Sequence, residues 1–179
     1  FDELIKRYSL NIQYDSEVFK IMRVGEDFEV DYGANALNVK IVVIGIGILG
    51  KPNKPAIKWP NTLRQHILFD LTSQKVEGQK VLVVGGGDTS SEYCQILVED
   101  KNDVTLICRR TDFTKMMPRN AEAIQKLDAE GKMRLVMGCE LREISDKDGK
   151  PYTVSLDETK CLPTLWDKII FALGGSTPI

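Results

Sequence analysis

The apolar positions of this chain alternate in some stretches, run unbroken in others and recur at helical spacing elsewhere. Residues 2–9 read as the tail of a helix, and residues 10–14 alternate as a short strand does. Residues 18–24 and 28–32 alternate as well, around the turn Gly25-Glu26-Asp27, which predicts an antiparallel meander. Residues 39–46 are apolar almost throughout, the pattern of a strand covered on both faces. The order then recurs. Residues 120–130 carry Ala123, Ile124 and Leu127 at helical spacing and end at Gly131, a C-cap residue. Residues 133–137 are strand-like, residues 140–144 and 152–156 alternate around a polar loop at 146–150, and residues 168–173 form a second buried run ending in Gly174-Gly175.

A helix, a meander and a closing strand that ends in glycine therefore occur twice. Only the second copy is preceded by a strand–glycine–helix unit, so the first copy reads as one that has lost its front half, and the chain as an excised fragment. Between the copies, residues 50–60 hold Pro52, Pro55 and Pro60 and read as an extended linker. Residues 62–71 predict a short helix, and residues 74–80 a surface loop.

The strand–glycine–helix unit carries the candidate chemistry. Val81-Leu82-Val83-Val84 leads into Gly85-Gly86-Gly87-Asp88-Thr89-Ser90-Ser91-Glu92, and Tyr93, Ile96 and Leu97 continue at helical spacing. Gly85-x-Gly87-x-x-Ser90 is the spacing of a dinucleotide turn. The first glycine permits the tight turn, the second lets backbone approach a pyrophosphate, and a small third residue lets helix pack close to strand. The pyrophosphate then meets free N–H groups at a positive helix end. In an NAD-binding unit an acid about twenty residues on bonds the ribose 2′-hydroxyl. Here the strand Val104-Thr105-Leu106-Ile107-Cys108 ends in Arg109-Arg110, with Lys115 nearby. Guanidinium groups suit a 2′-phosphate that an acid would repel, which predicts NADP rather than NAD. A solvated arginine pair is the alternative. Glu92 is either a surface acid complementing the helix N-terminus or a contact to the nicotinamide end. Met116-Met117-Pro118 reads as packing that starts the next helix, and Trp59 and Trp166 read as packing residues.

Composition changes this picture little. The 179 residues carry a net charge of −2, which points to neither nucleic acid nor a membrane surface as partner. No apolar run reaches the roughly 20 residues of a bilayer span, and residues 1–7 lack the order of a signal peptide. The four cysteines, Cys94, Cys108, Cys139 and Cys161, form no C-x-x-C and fit no zinc spacing. They read as inert reduced thiols of a cytoplasmic protein. His66, the single histidine, reads as a polar residue on a connecting helix.

With these motifs the chain resembles the two-dinucleotide flavoproteins of the thioredoxin reductase and pyridine-nucleotide disulfide oxidoreductase superfamily. The resemblance rests on residues 84–92, on Cys108-Arg109-Arg110-Thr111-Asp112-Phe113 and on the twin closing strands. It implies an α/β, Rossmann-like FAD/NAD(P)-binding fold: a parallel sheet with helices on its faces and an antiparallel β-meander, plus a truncated piece of the FAD domain. It assigns residues 1–50 to the FAD domain's first segment, 51–60 to a linker and 61–179 to the NADP domain. NADP(H) is the implied cofactor here, with FAD in the full-length protein, itself expected to be a homodimer. The residues expected at the nucleotide are Gly85, Gly86, Gly87, Asp88, Thr89, Ser90, Glu92, Arg109, Arg110, Lys115 and Gly174. No catalytic residue and no metal ligand is nominated.

Two departures matter. The histidine of the family's His-Arg-Arg motif is Cys108 here, and its later arginine is Thr114, with Lys115 as a substitute. Residues 59–80 contain no cysteine, so the redox C-x-x-C of thioredoxin reductases proper is missing. The Gly-Gly-Gly-Asp-Thr form is similar to ferredoxin–NADP reductases of this fold and to bacillithiol-disulfide-reductase-like proteins. The implied activity is hydride delivery to flavin, which reduces a disulfide or ferredoxin-like acceptor. A flavin monooxygenase fragment and a non-catalytic NADP-sensing regulator are the competing readings.

Overall fold

The computed structural model describes residues 2–45, 52–72, 74–161 and 163–175. The chain divides into two compact units, residues 1–47 and 48–179.

The first unit opens with helix α1 (Asp2–Tyr8). The helix stops where Ser9 takes a left-handed φ of 49° and Leu10 N–H reaches back to Ile5 O at 3.0 Å, a Schellman-type ending. Strands β1 (Val18–Val24), β2 (Asp27–Tyr32) and β3 (Asn35–Val39) follow as an antiparallel sheet in that order. The β1–β2 hairpin is as the alternation predicts, β3 lies outside that prediction, and two expectations around the meander fail. Residues 10–14 form no strand, since alternation without a ladder partner leaves the backbone in coil. The run 39–46 gives a strand only at Val39, and Ile46 lies outside the described residues. Ile41, Val43 and Ile44 pair with no strand and are 79%, 86% and 67% exposed.

The second unit is built on a five-stranded parallel sheet. Its strands are β4 (Ile67–Leu68), β5 (Lys80–Val84), β6 (Asp103–Cys108), β7 (Arg134–Met137) and β11 (Lys168–Phe171). Their spatial order is β4-β11-β5-β6-β7. Helix α2 (Asp88–Glu99) connects β5 to β6, and α3 (Pro118–Ala129) leads from β6 to β7. From β5 the chain first winds to β6 and β7, and later returns to β11 on the other side. The C-terminal end of β5 therefore lies at a topological switch point, where open α/β sheets bind ligands.

The period of two in the strands sets the layers. Val81, Val83, Val104, Leu106 and Ile170 face α2 and α3, packing on Cys94, Leu97 and Ile124. Leu82, Ile107, Val136, Ile169 and Phe171 face the opposite way. That face is covered by a second antiparallel sheet, β8 (Leu141–Lys147), β9 (Lys150–Ser155) and β10 (Thr164–Leu165), through Leu141, Ile144 and the adjoining Trp166. Among the described residues α2 and α3 thus share one face, and the meander takes the other. The predicted loop 146–150 narrows to Asp148-Gly149. Both take positive φ, 56° and 77°, as a two-residue type I′ hairpin needs.

Three connecting segments differ from their sequence reading. The helix predicted at 62–71 is a 3-10 turn (Asn61–His66) followed by β4, whose pairing with Ile169 and Ile170 overrides helical preference. Trp59, within the predicted linker, stacks on Phe171 at 5.7 Å and lies 6.3 Å from Phe69, so this segment is packed on the sheet. The loop before β5 is tied down by buried Asn102, which donates to Val76 O and Leu97 O and accepts from Gln79 N–H, all at 2.9 Å. Among the described residues no helix is long and apolar enough to cross a membrane.

Candidate nucleotide site

The glycine turn leaves β5 between the tips of β6 and β11. Gly85 N–H donates to Ile107 O on one side (3.1 Å), while Ala172 N–H donates to Val84 O on the other (2.9 Å). The three glycines differ in what requires them. A β-carbon on Gly85 would stand 2.5 Å from Ala172 O and 3.0 Å from Ser90 Cβ, so packing alone excludes any side chain there. Its need for glycine is thus close approach rather than a left-handed turn. At Gly86 and Gly87 the nearest atoms to such a carbon are at 3.9 Å (Cys108 side chain) and 3.7 Å (Lys115 O), ordinary contacts. Gly87 caps α2 with an extended backbone, φ −119°, and no side chain caps the helix. Among the described residues nothing asks for glycine at 86 or 87. Ser90 and Ser91 N–H turn back to Gly87 O, and the N–H groups of Asp88 and Thr89, at the very start of α2, have no partner inside the helix.

Ser90 is wholly buried, and its hydroxyl donates to Gly87 O at 2.6 Å, which tightens the first turn of α2. Thr89 and Glu92 are exposed on the same helix. Asp88 has a structural job: its Oδ1 accepts Met117 N–H at 2.8 Å and Asn120 Nδ2–H at 2.7 Å, fixing the start of α3 beside the glycine turn. Those two bonds hold its carboxyl below the usual range. Of Met116-Met117-Pro118, Met116 is buried as expected and Pro118 opens α3, but Met117 is 54% exposed at the helix cap and does not pack.

The tip of β6 stands next to the turn. Buried Cys108 donates its S–H to Gly85 O at 2.9 Å, and burial pushes its thiol pKa up to about 11. Arg109 and Arg110 follow directly and are exposed. Arg110 Nη1 donates to Thr114 Oγ1 at 2.8 Å, and Thr114 donates its hydroxyl to Asp112 Oδ1 at 2.8 Å. The residue in place of the family's later arginine thus orients the one before it. Arg109 lies 3.9 Å from Glu140, an exposed pair of small energetic weight. Lys115 is exposed on the loop whose carbonyl borders Gly87. On the other side Gly174 takes φ 76° and accepts Asn53 N–H at 2.9 Å. Sequence reading missed Ala172, Asn120 and Glu140, because each reaches the site through strand or helix neighbours far along the chain.

The described arrangement is an open helix end, with two arginines at one flanking strand tip and a glycine bend beyond the other. The pyridine nucleotide-disulphide oxidoreductase family matches residues 1–179, and the chain belongs to it. Among curated relatives, ferredoxin–NADP reductase of Ignicoccus hospitalis is 29% identical over 182 residues, covering 99% of this chain and 57% of its own. That of Rickettsia canadensis is 27% identical over 165 residues, covering 86% of this chain and 48% of its own. The chain thus spans about half the length of these relatives. Among solved structures, thioredoxin reductase of T. acidophilum aligns over 97% of this chain and 59% of its own, with a TM-score of 0.60 and 19% identity. Bacillithiol disulfide reductase of Staphylococcus aureus aligns over 97% and 52%, with a TM-score of 0.57 and 14% identity. These structures share the fold.

Proposed function

We propose that the second unit binds NADP(H) in an FAD-dependent NAD(P)H oxidoreductase. The diphosphate lies over Gly86 and Gly87 at the N-terminus of α2, and the 2′-phosphate lies against Arg109 and Arg110. The carrying observation is the contrast among the three glycines. Packing explains Gly85, whereas Gly86 and Gly87 are bare without any internal need, as a surface approached by a ligand's phosphates is. Ser90 and Asp88 act as supports: one tightens the helix start, and the other anchors α3 so that the loop with Lys115 stays beside the turn. Glu92 faces solvent on α2, on the nicotinamide side in this reading.

The bound dinucleotide supplies a hydride, which in the whole protein passes to FAD, and the flavin then reduces a disulfide or ferredoxin-like acceptor. The protein contributes binding, orientation and electrostatics. In the same reading residues 1–50 belong to the FAD domain, 51–60 connect the domains, and 61–179 are the NADP domain. The exposure of Ile41, Val43 and Ile44 supports this, since such apolar side chains suit a strand covered by further parts of a domain. The curated relatives' names favour a ferredoxin-like acceptor.

The experiment is a titration of the chain with NADPH and with NADH, followed by calorimetry. Tighter binding of NADPH is expected, and equal affinities would overturn the assignment of the β6 tip. In the full-length flavoprotein, NADPH oxidation against ferredoxin and against small disulfides then identifies the acceptor.

A further inference from the structure

Cys139 follows β7, and Cys161 lies between β9 and β10, with the β8–β9 hairpin separating them in sequence. The fold brings them together. Both pack into the core between the parallel sheet and the meander, where their thiols act on each other. Cys139 is 1% exposed, and its N–H donates to Cys108 O at 2.9 Å, so it is held rigidly against the tip of β6. Cys161 is half-buried and lines a cavity of about 190 Å³ that also touches Leu82, Ile107, Ser155 and Trp166. Main-chain geometry fixes it too, because Ser155 Oγ donates to Cys161 O at 2.8 Å.

The two sulfurs differ in character. The adjacent Cys139 thiol lowers the pKa of Cys161, against the effect of burial, and the charge of Arg134 adds to the lowering. The facing Cys161 and burial push Cys139 the other way. A reactive thiol beside a buried partner is the arrangement that thiol–disulfide exchange uses. Cys94 and Cys108 also act on each other, but both are fully buried in the other core layer, where desolvation raises them and neither thiol meets solvent.

We propose that Cys139 and Cys161 form a dithiol–disulfide site, oxidised by a low-molecular-weight disulfide entering at Cys161. Cys161 loses its proton, and its sulfur displaces one thiolate from the small disulfide, giving a mixed disulfide. Cys139 then loses its proton and attacks the Cys161 sulfur, releasing the second thiolate. One small disulfide is reduced to two thiols while the two cysteines become a cystine. The bridge ties the β9–β10 loop to the segment that carries Glu140, beside Arg109. The site does not depend on the nucleotide assignment, because its test reads sulfur chemistry alone.

The test is incubation of the reduced full chain with oxidised glutathione at neutral pH, followed by intact mass measurement and peptide mapping without reductant. The expected product has lost the mass of two hydrogen atoms and yields a Cys139–Cys161 crosslinked peptide. Cys139→Ser is expected to stop at glutathione on Cys161, and Cys161→Ser to give neither adduct nor crosslink. Unmodified Cys94 and Cys108 report that each variant is folded; where a variant unfolds, the map of the unsubstituted chain decides by itself. A stable glutathione adduct on the unsubstituted chain without the crosslink would overturn the proposal. So would reaction at Cys94 or Cys108 in preference to Cys161.

Discussion

Gly85 and Ala172 approach so closely that a β-carbon on the first would stand 2.5 Å from the carbonyl oxygen of the second. Ala172 cannot yield easily, because its own N–H is bonded to Val84 O at 2.9 Å and it directly follows β11, which lies between β4 and β5. Gly85→Ala must therefore shift β11 or bend the turn, an overpacking cost of about 1–3 kcal/mol. Gly87→Ala meets nothing closer than 3.7 Å, and replacing glycine at an N-cap by alanine costs about 1 kcal/mol or less. The two variants are expected to separate. Gly85→Ala lowers the urea midpoint, while Gly87→Ala leaves it nearly unchanged and weakens NADPH binding. A Gly87→Ala chain that binds NADPH normally would remove the diphosphate from this turn.

Asp88 makes the junction of α2 and α3 sensitive to acid. Its carboxylate accepts the Met117 N–H and the Asn120 side chain, and its pKa is depressed in the folded state. A depressed pKa means the unfolded chain binds the proton more readily, so the stabilisation is complete above the unfolded value, about pH 4. It is lost as pH falls from there through the folded value. Asp88→Asn is expected to lower stability at neutral pH and to flatten the decline below pH 4. Thermal unfolding of both proteins across that range measures it, and parallel curves would show that the contact carries no stability.

The residues around β5 were legible because their signal is local: four apolar residues, three glycines and a helical period follow one another without interruption. The hairpins β1–β2 and β8–β9 were legible for the same reason, since alternation and turn residues mark each of them, whereas the third strands β3 and β10 were not read from the sequence. What failed depends on distant partners. Strand β4 is two residues long and exists through its pairing with β11, a neighbour about a hundred positions away that no local pattern announces. Residues 10–14 have strand-like alternation and no ladder to join. At the site, Arg109 and Arg110 were visible as charges after a strand, but Thr114 and Glu140 as their contacts were not. The Cys139–Cys161 pair lies outside every spacing rule because a hairpin, rather than a helix turn, brings the two thiols together.

Trp59 tests how firmly the first segment of the second unit is attached to its sheet. Its ring stacks on Phe171 of the central sheet, with Phe69 alongside. Because Trp59 is only half-buried, Trp59→Ala is expected to cost about 1–3 kcal/mol, below the 3–5 kcal/mol typical of fully buried aromatic truncation. Chemical denaturation measures this directly. A flexible linker residue would instead leave the midpoint unchanged.

The β6 tip gives the sharpest functional prediction. A hydrogen bond to a charged group is worth about 1.5–3 kcal/mol, which corresponds to roughly ten- to hundredfold in affinity. Arg109→Ala and Arg110→Ala are each expected to weaken NADPH binding by that factor while leaving NADH binding almost unaltered, since NADH lacks the 2′-phosphate. The two arginines differ in preparation. Arg110 is held by Thr114, so Thr114→Val frees its guanidinium and is expected to give a partial version of the same loss. Arg109 has Glu140 at 3.9 Å, and that acid competes with an incoming phosphate. Glu140→Gln should therefore tighten NADPH binding slightly, by no more than the ~1 kcal/mol an exposed pair is worth. Calorimetric titration of the four variants with both nucleotides checks the set. If the arginine variants weaken NADPH and NADH equally, these side chains act on the shared part of the dinucleotide, and the 2′-phosphate is recognised elsewhere.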